Sequence, residues 1–209
     1  MRTTTITKQN QKSLTPTSVL TDLLEGNKRF TDAKIEVVDY LAQVKKTEGG
    51  QFPKAVILSC IDSRVPVELL FDQSIGDIFV VRVAGNFENV DILGSIEYSC
   101  KVAGSKLVFV LGHESCGAVK AACDGVELGN ITEMLSNIMP AVQLATKDIK
   151  GEANSSNKEF VDKTIANNVR LTIGRIREKS LILKEMEDNG EIKIVGGIYY
   201  LSTGKVVML

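Results

Sequence analysis

The architecture of this 209-residue chain follows from one short stretch, Ala55-Val56-Ile57-Leu58-Ser59-Cys60-Ile61-Asp62-Ser63-Arg64. Its first five residues form a short apolar run, the pattern of a parallel strand that is buried on both faces. Polar and ligand-forming side chains begin directly after the run, at Cys60. In parallel α/β sheets, ligands bind beyond the carboxyl ends of the strands. The stretch therefore predicts a buried strand with a functional site at its end.

Three further apolar runs predict the other strands of a parallel sheet. They cover residues 78–83, 107–111 and 192–200, and helical patterns occur between them. Strands that alternate with helices are typical of an α/β fold, with a mainly parallel central sheet flanked by helices. A turn at residues 202–205 then reverses the chain, so that residues 206–208 return as an antiparallel C-terminal edge strand. We expect the whole chain to form a single domain of this class.

Two helices are predicted before the first strand. Thr17 or Ser18 can cap a helix whose apolar face extends to Phe30, and a second helix covers about residues 36–46. This N-terminal helical arm, residues 17–48, has more apolar side chains than the core of one small domain needs. We therefore expect it to pack on something else, such as another subunit of a homodimer or tetramer. Residues 1–16 are expected to form a flexible or extended tail.

The composition argues against several classes of protein. Lysine and arginine number 25, aspartate and glutamate 26, and the net charge of -1 gives no indication of a nucleic-acid surface. No uninterrupted apolar stretch reaches the roughly 18 residues of a membrane span. The four cysteines of a chain of this length are expected to be reduced, which favours a cytoplasmic location. The lack of acidic residues before Asp22 is a weaker indication of an organellar segment.

A second phrase, Gly112-His113-Glu114-Ser115-Cys116-Gly117, also follows an apolar run. Together with Cys60 it supplies two thiolates and one imidazole, a set that binds zinc and leaves the fourth tetrahedral position open, as in catalytic sites. His113 and Cys116 can face one centre if a helical turn opens after the strand. The rival interpretation, a redox-active pair, lacks a Cys-x-x-Cys motif. The sequence therefore predicts one zinc ion per chain.

Asp62 and Arg64 extend the predicted site beyond metal binding. Asp62 lies two residues after a predicted ligand, which suits either of two roles. It can accept a hydrogen bond from a zinc-bound hydroxide, or it can bind zinc itself and close the site. In the first role, the planar guanidinium of Arg64 can hold the carboxylate. The sequence leaves both roles open.

The two motifs, Cys-x-Asp-Ser-Arg at residues 60–64 and His-x-x-Cys-Gly at residues 113–117, together resemble the β-class carbonic anhydrases. The similarity covers nearly the whole chain and includes residues 24–30, 76–82, 84–86, 194–199 and 203–205. Val83 departs from the pattern, because many members have Asn there. Another branch of the family uses a tryptophan in a non-catalytic bicarbonate pocket. Since this chain has no Trp, we do not expect that pocket in the same form.

This resemblance implies a reaction and a set of site residues. The reaction is the reversible hydration of carbon dioxide to bicarbonate and a proton, carried out by zinc-bound hydroxide in a zinc lyase. The implied metal ligands are Cys60, His113 and Cys116, and the implied catalytic pair is Asp62 with Arg64. The positions that line the substrate pocket in plant-type members, partly across the dimer interface, are Gln51, Phe79, Ala84 and Tyr98.

Three other functions remain open at the level of sequence. Hydrolysis of carbon disulfide or carbonyl sulfide uses related zinc chemistry on the same fold. A non-catalytic module stabilised by zinc would keep the fourth ligand position closed and would not need Arg64. A thiol redox sensor would require that Cys60 or Cys116 be free of metal.

Overall fold

The computed structural model describes residues 1–147 and 149–209, and its centre is a five-stranded sheet. The strands are β1 (Ala55–Ser59), β2 (Ile78–Arg82), β3 (Leu107–His113), β4 (Lys193–Tyr199) and β5 (Val206–Met208). They lie side by side in the order β2-β1-β3-β4-β5. The first four strands are parallel to one another, and β5 runs antiparallel to its neighbour β4. The predicted α/β fold, with its antiparallel C-terminal edge strand, is confirmed.

Helices flank this sheet on both faces. Before β3 they are α1 (Lys8–Ser13), α2 (Pro16–Thr31), α3 (Tyr40–Thr47), α4 (Val67–Leu70), α5 (Val90–Glu97) and a π-helical turn (Tyr98–Val102). After β3 they are α6 (Gly117–Cys123), α7 (Gly129–Ser136), α8 (Met139–Thr146), α9 (Lys158–Lys179) and α10 (Leu181–Asp188). The described helices include none that is long and apolar enough to cross a membrane.

The central strand β1 builds two cores because its side chains alternate between the two faces of the sheet. Ala55 and Ile57 pack with residues of α2 and α4, whereas Val56 and Leu58 pack with residues of α5, α9 and α10. All four side chains are fully buried. Burial of a side chain the size of Val56, Ile57 or Leu58 contributes roughly 1.5–3 kcal/mol, so β1 anchors the site that follows it.

Helix α2 belongs to the core of its own domain. Val19 and Leu23 on this helix are fully buried in the same cluster as the side chains of β1. The expectation that the helical arm packs elsewhere is therefore wrong for α2. The predicted cap was also two or three residues late, because Thr15 caps the helix and exchanges hydrogen bonds with Ser18 in a capping box.

The first sixteen residues also differ from the expected flexible or extended tail. They contain α1, and Gln11 of this helix is buried. Its Nε2 donates to the carbonyl oxygens of Pro53 and Ala103 at 2.7 and 2.8 Å. Nearer the terminus, Arg2 Nη2 donates to Asp72 Oδ1 at 3.0 Å. This segment is held by polar contacts with distant residues, which leave no apolar periodicity in the sequence.

Candidate metal centre

The sheet brings the two sequence motifs together. Strands β1 and β3 are parallel neighbours with Ser59 opposite Leu111, so their carboxyl ends lie at the same edge. Cys60 follows β1 directly, and His113 is the last residue of β3. The predicted helical turn does not open at this point. Instead, Ser115 adopts a left-handed conformation with φ 56°, and Cys116 caps α6, which begins one residue later.

Cys60, His113 and Cys116 form one buried cluster. The sulfur atoms of Cys60 and Cys116 are 3.9 Å apart, and the three candidate ligand atoms all lie within 4.8 Å of one another. All three residues are at least 96% buried, so the cluster is shielded from solvent. The structure thus places together the three residues that the sequence predicts as ligands.

The orientation of His113 leaves one ring nitrogen available. Its Nδ1 lies 2.9 Å from the carbonyl oxygen of Glu114. Since a carbonyl can only accept a hydrogen bond, Nδ1 must carry a proton, which leaves Nε2 as the nitrogen available to a metal ion. Nε2 is buried and has no hydrogen-bond partner among the described residues. An unpartnered buried nitrogen is destabilising, and binding a metal ion would satisfy it.

The charge on the two sulfurs also fits a cation. The pKa of Cys60 is lowered, mainly by its hydrogen bond with Cys116 and further by contacts with His113 and the Gly85 amide. The pKa of Cys116 is raised, mainly by the neighbouring Cys60 and by burial. The second sulfur of the pair is therefore difficult to ionise unless a cation offsets its charge. A divalent cation would offset the second charge and allow both sulfurs to be thiolates, the form that binds zinc.

Asp62 and Arg64 form the ion pair that the sequence predicts. Arg64 donates from Nε to Asp62 Oδ1 at 3.0 Å and from Nη2 to Oδ2 at 2.7 Å. The Arg64 backbone amide also donates to Oδ1, at 2.9 Å. The hydrogen bond from the Arg64 side chain is the main reason that the pKa of Asp62 falls to about 2. The carboxylate is therefore ionised at neutral pH, and its Oδ2 lies 3.9 Å from His113 Nε2.

Two residues that contact the metal-ligand loop were missed as site residues. Arg82, at the end of β2, donates to the carbonyl oxygens of Cys60 and Asp62 at 2.8 and 2.7 Å. Gly85 donates its amide to Cys60 Sγ at 3.4 Å. Arg82 lies in a run that the sequence argument used only as a strand and in the resemblance, and Gly85 lies in a segment that entered it only through resemblance. Their roles depend on backbone carbonyls and amides, which residue type does not reveal.

The predicted pocket residues fall into two places. Ala84 is half-buried and immediately precedes Gly85, beside the ligand cluster. Phe79 and Tyr98 contact each other, with ring centroids 6.4 Å apart, and line a cleft of about 430 Å³ together with Gln51.

This cleft is separate from the cluster formed by the three ligands of the same chain. None of the three ligands lines the cleft. Phe79 pairs with Val56, which lies four residues before Cys60. At the rise of a β-strand, four residues span roughly 13 Å.

Comparisons with known proteins agree with this geometry. A family model described as carbonic anhydrase matches residues 55–206. Carbonic anhydrase 2 of Mycobacterium tuberculosis is 35% identical over 202 residues, which cover 92% of each chain.

Solved structures of β-carbonic anhydrases also resemble this chain. The β-carbonic anhydrase of Coccomyxa in complex with acetazolamide superposes with a TM-score of 0.72 at 27% identity, covering 91% of this chain and 86% of that one. A tetrameric β-carbonic anhydrase from Sordaria macrospora superposes equally well, with a TM-score of 0.72. At 22% identity, over 92% of this chain and 97% of that one, it supports the fold alone.

Proposed function

This chain belongs to the β-carbonic anhydrase family, and we propose that it catalyses the reversible hydration of carbon dioxide to bicarbonate and a proton at one zinc ion held by Cys60, His113 and Cys116. The observation that carries the metal assignment is the unpartnered Nε2 of His113, buried within 4.8 Å of two sulfurs. A protein site made of these three ligands leaves room for water or substrate in the fourth tetrahedral position.

The three ligands fit zinc and are held from outside the cluster. His113 is fixed by its hydrogen bond to Glu114, and the Cys60 loop is held by the guanidinium of Arg82. Such outer contacts orient the ligands of a metal and tune their basicity. When bound, zinc would lower the pKa of a water molecule toward neutrality, which is the chemistry that hydration of carbon dioxide requires.

The Asp62–Arg64 pair favours one of the two roles that the sequence left open. Both carboxylate oxygens of Asp62 already accept hydrogen bonds from Arg64. Asp62 is ionised at neutral pH, so it can accept a further hydrogen bond from a reacting water but cannot donate one. We therefore assign Asp62 to orienting the water that attacks carbon dioxide, and Arg64 to holding the carboxylate in place.

A second copy of the chain is proposed to complete the substrate pocket. Phe79 lies in β2, an edge strand of the sheet, and the ring of Tyr98 packs against it. Edge strands of soluble proteins are usually covered or protected. The side chains of Tyr98, Val90 and Val102 are 57, 80 and 68% exposed in the single chain. Pairing of two copies through this region would bury these side chains and offers a route for Gln51, Phe79 and Tyr98 to reach a partner's site.

The proposed function is tested by measuring metal content and hydration on the same preparation. The wild-type protein is expected to hold one zinc per chain and to hydrate carbon dioxide in a stopped-flow assay. Cys60→Ser should lose most of both. The matched control is Cys100→Ala, a change at a buried thiol outside the metal cluster, which should retain both. A zinc-loaded wild-type protein that is inactive on carbon dioxide but hydrolyses carbonyl sulfide or carbon disulfide would overturn the proposed substrate.

A further inference from the structure

A buried asparagine on α9, Asn168, is linked to the Cys60 sulfur through Gly85. Asn168 Nδ2 donates a hydrogen bond of 2.7 Å to the Gly85 carbonyl oxygen, across 83 positions of sequence. The amide of Gly85 in turn donates to Cys60 Sγ at 3.4 Å. Asn168 is 1% exposed, and its Oδ1 has no hydrogen-bond partner among the described residues. A buried side-chain amide with only one of its two polar atoms hydrogen-bonded is destabilising. Such a residue indicates that the bond it does make, from Nδ2 to Gly85, has a functional role.

Gly85 reaches the sulfur from a tightly packed turn in a left-handed backbone conformation. The turn is closed by a hydrogen bond of 3.0 Å from the Asn86 amide to the Val83 carbonyl oxygen. Gly85 itself has φ +84°, and a Cβ at this position would lie 2.5 Å from Ile138 Cδ1. Any side chain would therefore push the turn away from the ligand. The position of the turn at residues 83–86 therefore depends on contacts with other elements of the fold.

The two candidate thiolates receive their backbone hydrogen bonds in different ways. Cys116 lies at the start of α6, and the amides of Ala118 and Val119 in the first turn of that helix lower the pKa of its thiol, against the larger effects that raise it. Those donors are fixed by the helix itself. The Gly85 amide comes from a turn 25 residues away from Cys60. Cys60 also receives a backbone hydrogen bond from Asp62, which is a local donor. Among these donors, the Gly85 amide is the one that comes from a separate turn, and Asn168 is hydrogen-bonded to that same residue.

We propose that Asn168 is a positioning residue for the reaction: it holds Gly85 so that the Gly85 amide donates to the Cys60 thiolate and thereby limits how strongly that ligand donates electrons to the metal. The inference rests on the proposed zinc site. An N–H donor draws electron density from a thiolate, and a less strongly donating ligand leaves the metal a better Lewis acid. Loss of the Asn168 bond would therefore make the metal less effective in acidifying water.

The test compares Asn168→Leu with the wild-type protein after exchange of the metal for cobalt(II). Leucine has the same branched arrangement of four side-chain heavy atoms but cannot donate to Gly85. The absorption band that arises from charge transfer from thiolate to cobalt should move to longer wavelength, because the sulfur lone pair rises in energy without its donor. In the zinc enzyme, activity at pH 7 should fall about tenfold and be regained at higher pH, in keeping with typical effects of residues behind metal ligands.

The matched control is Thr164→Val, one turn earlier on α9. Thr164 is fully buried, and its hydroxyl donates to the Phe160 carbonyl of its own helix and lies 3.7 Å from Cys123 Sγ. Its replacement is expected to leave the cobalt band and the pH profile unchanged. Asn168→Ala is the second variant: it removes the amide donor without adding volume. It should show the same shift of the band as Asn168→Leu.

The outcomes separate this proposal from the proposed function. A wild-type protein without a thiolate–cobalt band would overturn the metal site and the positioning role together. A normal wild-type band that stays unchanged in a folded, cobalt-loaded Asn168 variant would overturn the positioning role alone. If neither variant folds while Thr164→Val does, Asn168 is a residue of the fold and the positioning role is likewise overturned.

Discussion

Asp62 Oδ2 lies 3.9 Å from His113 Nε2, so the carboxylate faces the metal-ligand cluster without forming a hydrogen bond to the ring. The same oxygen accepts a 2.7 Å hydrogen bond from Arg64 Nη2. Arg64 therefore determines how far Asp62 can move toward the cluster. In the proposed zinc site, Arg64 is therefore expected to keep the fourth metal position accessible, although its own side chain is 55% exposed.

Removal of the Arg64 side chain should lower turnover and spare zinc. In Arg64→Ala the carboxylate of Asp62 loses two hydrogen bonds and can approach the metal, so we expect hydration to fall by about 10²-fold. Zinc content per chain, measured by atomic absorption, should be unchanged. Arg177→Ala is the matched control, because Arg177 makes the same kind of forked pair with Glu187, at 2.7 and 2.9 Å, outside the metal cluster. A zinc-loaded Arg64→Ala protein with wild-type rates would refute the catalytic pair.

The rate of hydration should rise with pH and favour alkaline conditions. Two thiolates cancel the formal charge of Zn²⁺, so water is acidified less than it would be by three neutral imidazoles. The pKa of Asp62, at about 2, lies below the working range, so its protonation cannot account for a loss of activity near neutral pH. Stopped-flow rates between pH 6 and 9 should give a midpoint above 7. A rate that is flat over this range would contradict the expected charge balance.

Gly85→Ala should destabilise the fold as well as the site. The new Cβ meets Ile138 Cδ1 at 2.5 Å, and φ is +84°. Overpacking and the left-handed backbone together predict a loss of about 2–4 kcal/mol in the free energy of unfolding, measured by urea denaturation. Gly174→Ala on α9 is the control, since nothing lies within 4 Å of its Cβ position. Alanine in a helix should raise stability there by about 1 kcal/mol. Equal stabilities of the two variants would argue against the close packing at Gly85.

A charge beside β2 should separate the proposed dimer. Val90 and Leu181 are each 80% exposed in the single chain, and Val90 lines a groove with Phe79 and Tyr98. We expect Val90→Asp to sediment as a monomer at micromolar concentration and to lose hydration activity while it retains zinc. Leu181→Asp, on α10, should keep the assembly of the wild-type protein. A wild-type protein that is itself monomeric would contradict the proposal that a second copy completes the pocket.

The sequence predicts the strands and the metal ligands better than it predicts the buried polar contacts that hold them in position. The β1 strand is recognisable because burial on both faces gives a continuous apolar run. Cys60 is recognisable as a ligand because two thiolates and an imidazole together are a typical zinc-binding set. Helix α1 was missed because its anchor, Gln11, is a buried polar side chain that bonds to distant carbonyl oxygens. Asn168 escaped notice for the same reason. A polar residue within a helix is usually solvated, and only the fold shows that this one is enclosed.

Proton export should limit turnover, because the chain contains a single histidine, His113. Each hydration cycle releases a proton, and histidine is the usual carrier near neutral pH. Metal binding by His113, as proposed, would remove it from that role. Asp62, with a pKa of about 2, is too acidic to replace it, and burial raises the pKa of Cys100 to about 12, which is too basic.

External buffer is therefore expected to accept the proton. Raising the concentration of an imidazole-type buffer at fixed pH and ionic strength should raise the maximal rate to a plateau. The control replaces the added buffer with an inert salt of equal ionic strength, which should leave the rate low. A maximal rate that does not change down to low millimolar buffer would reveal an internal proton carrier and contradict the prediction.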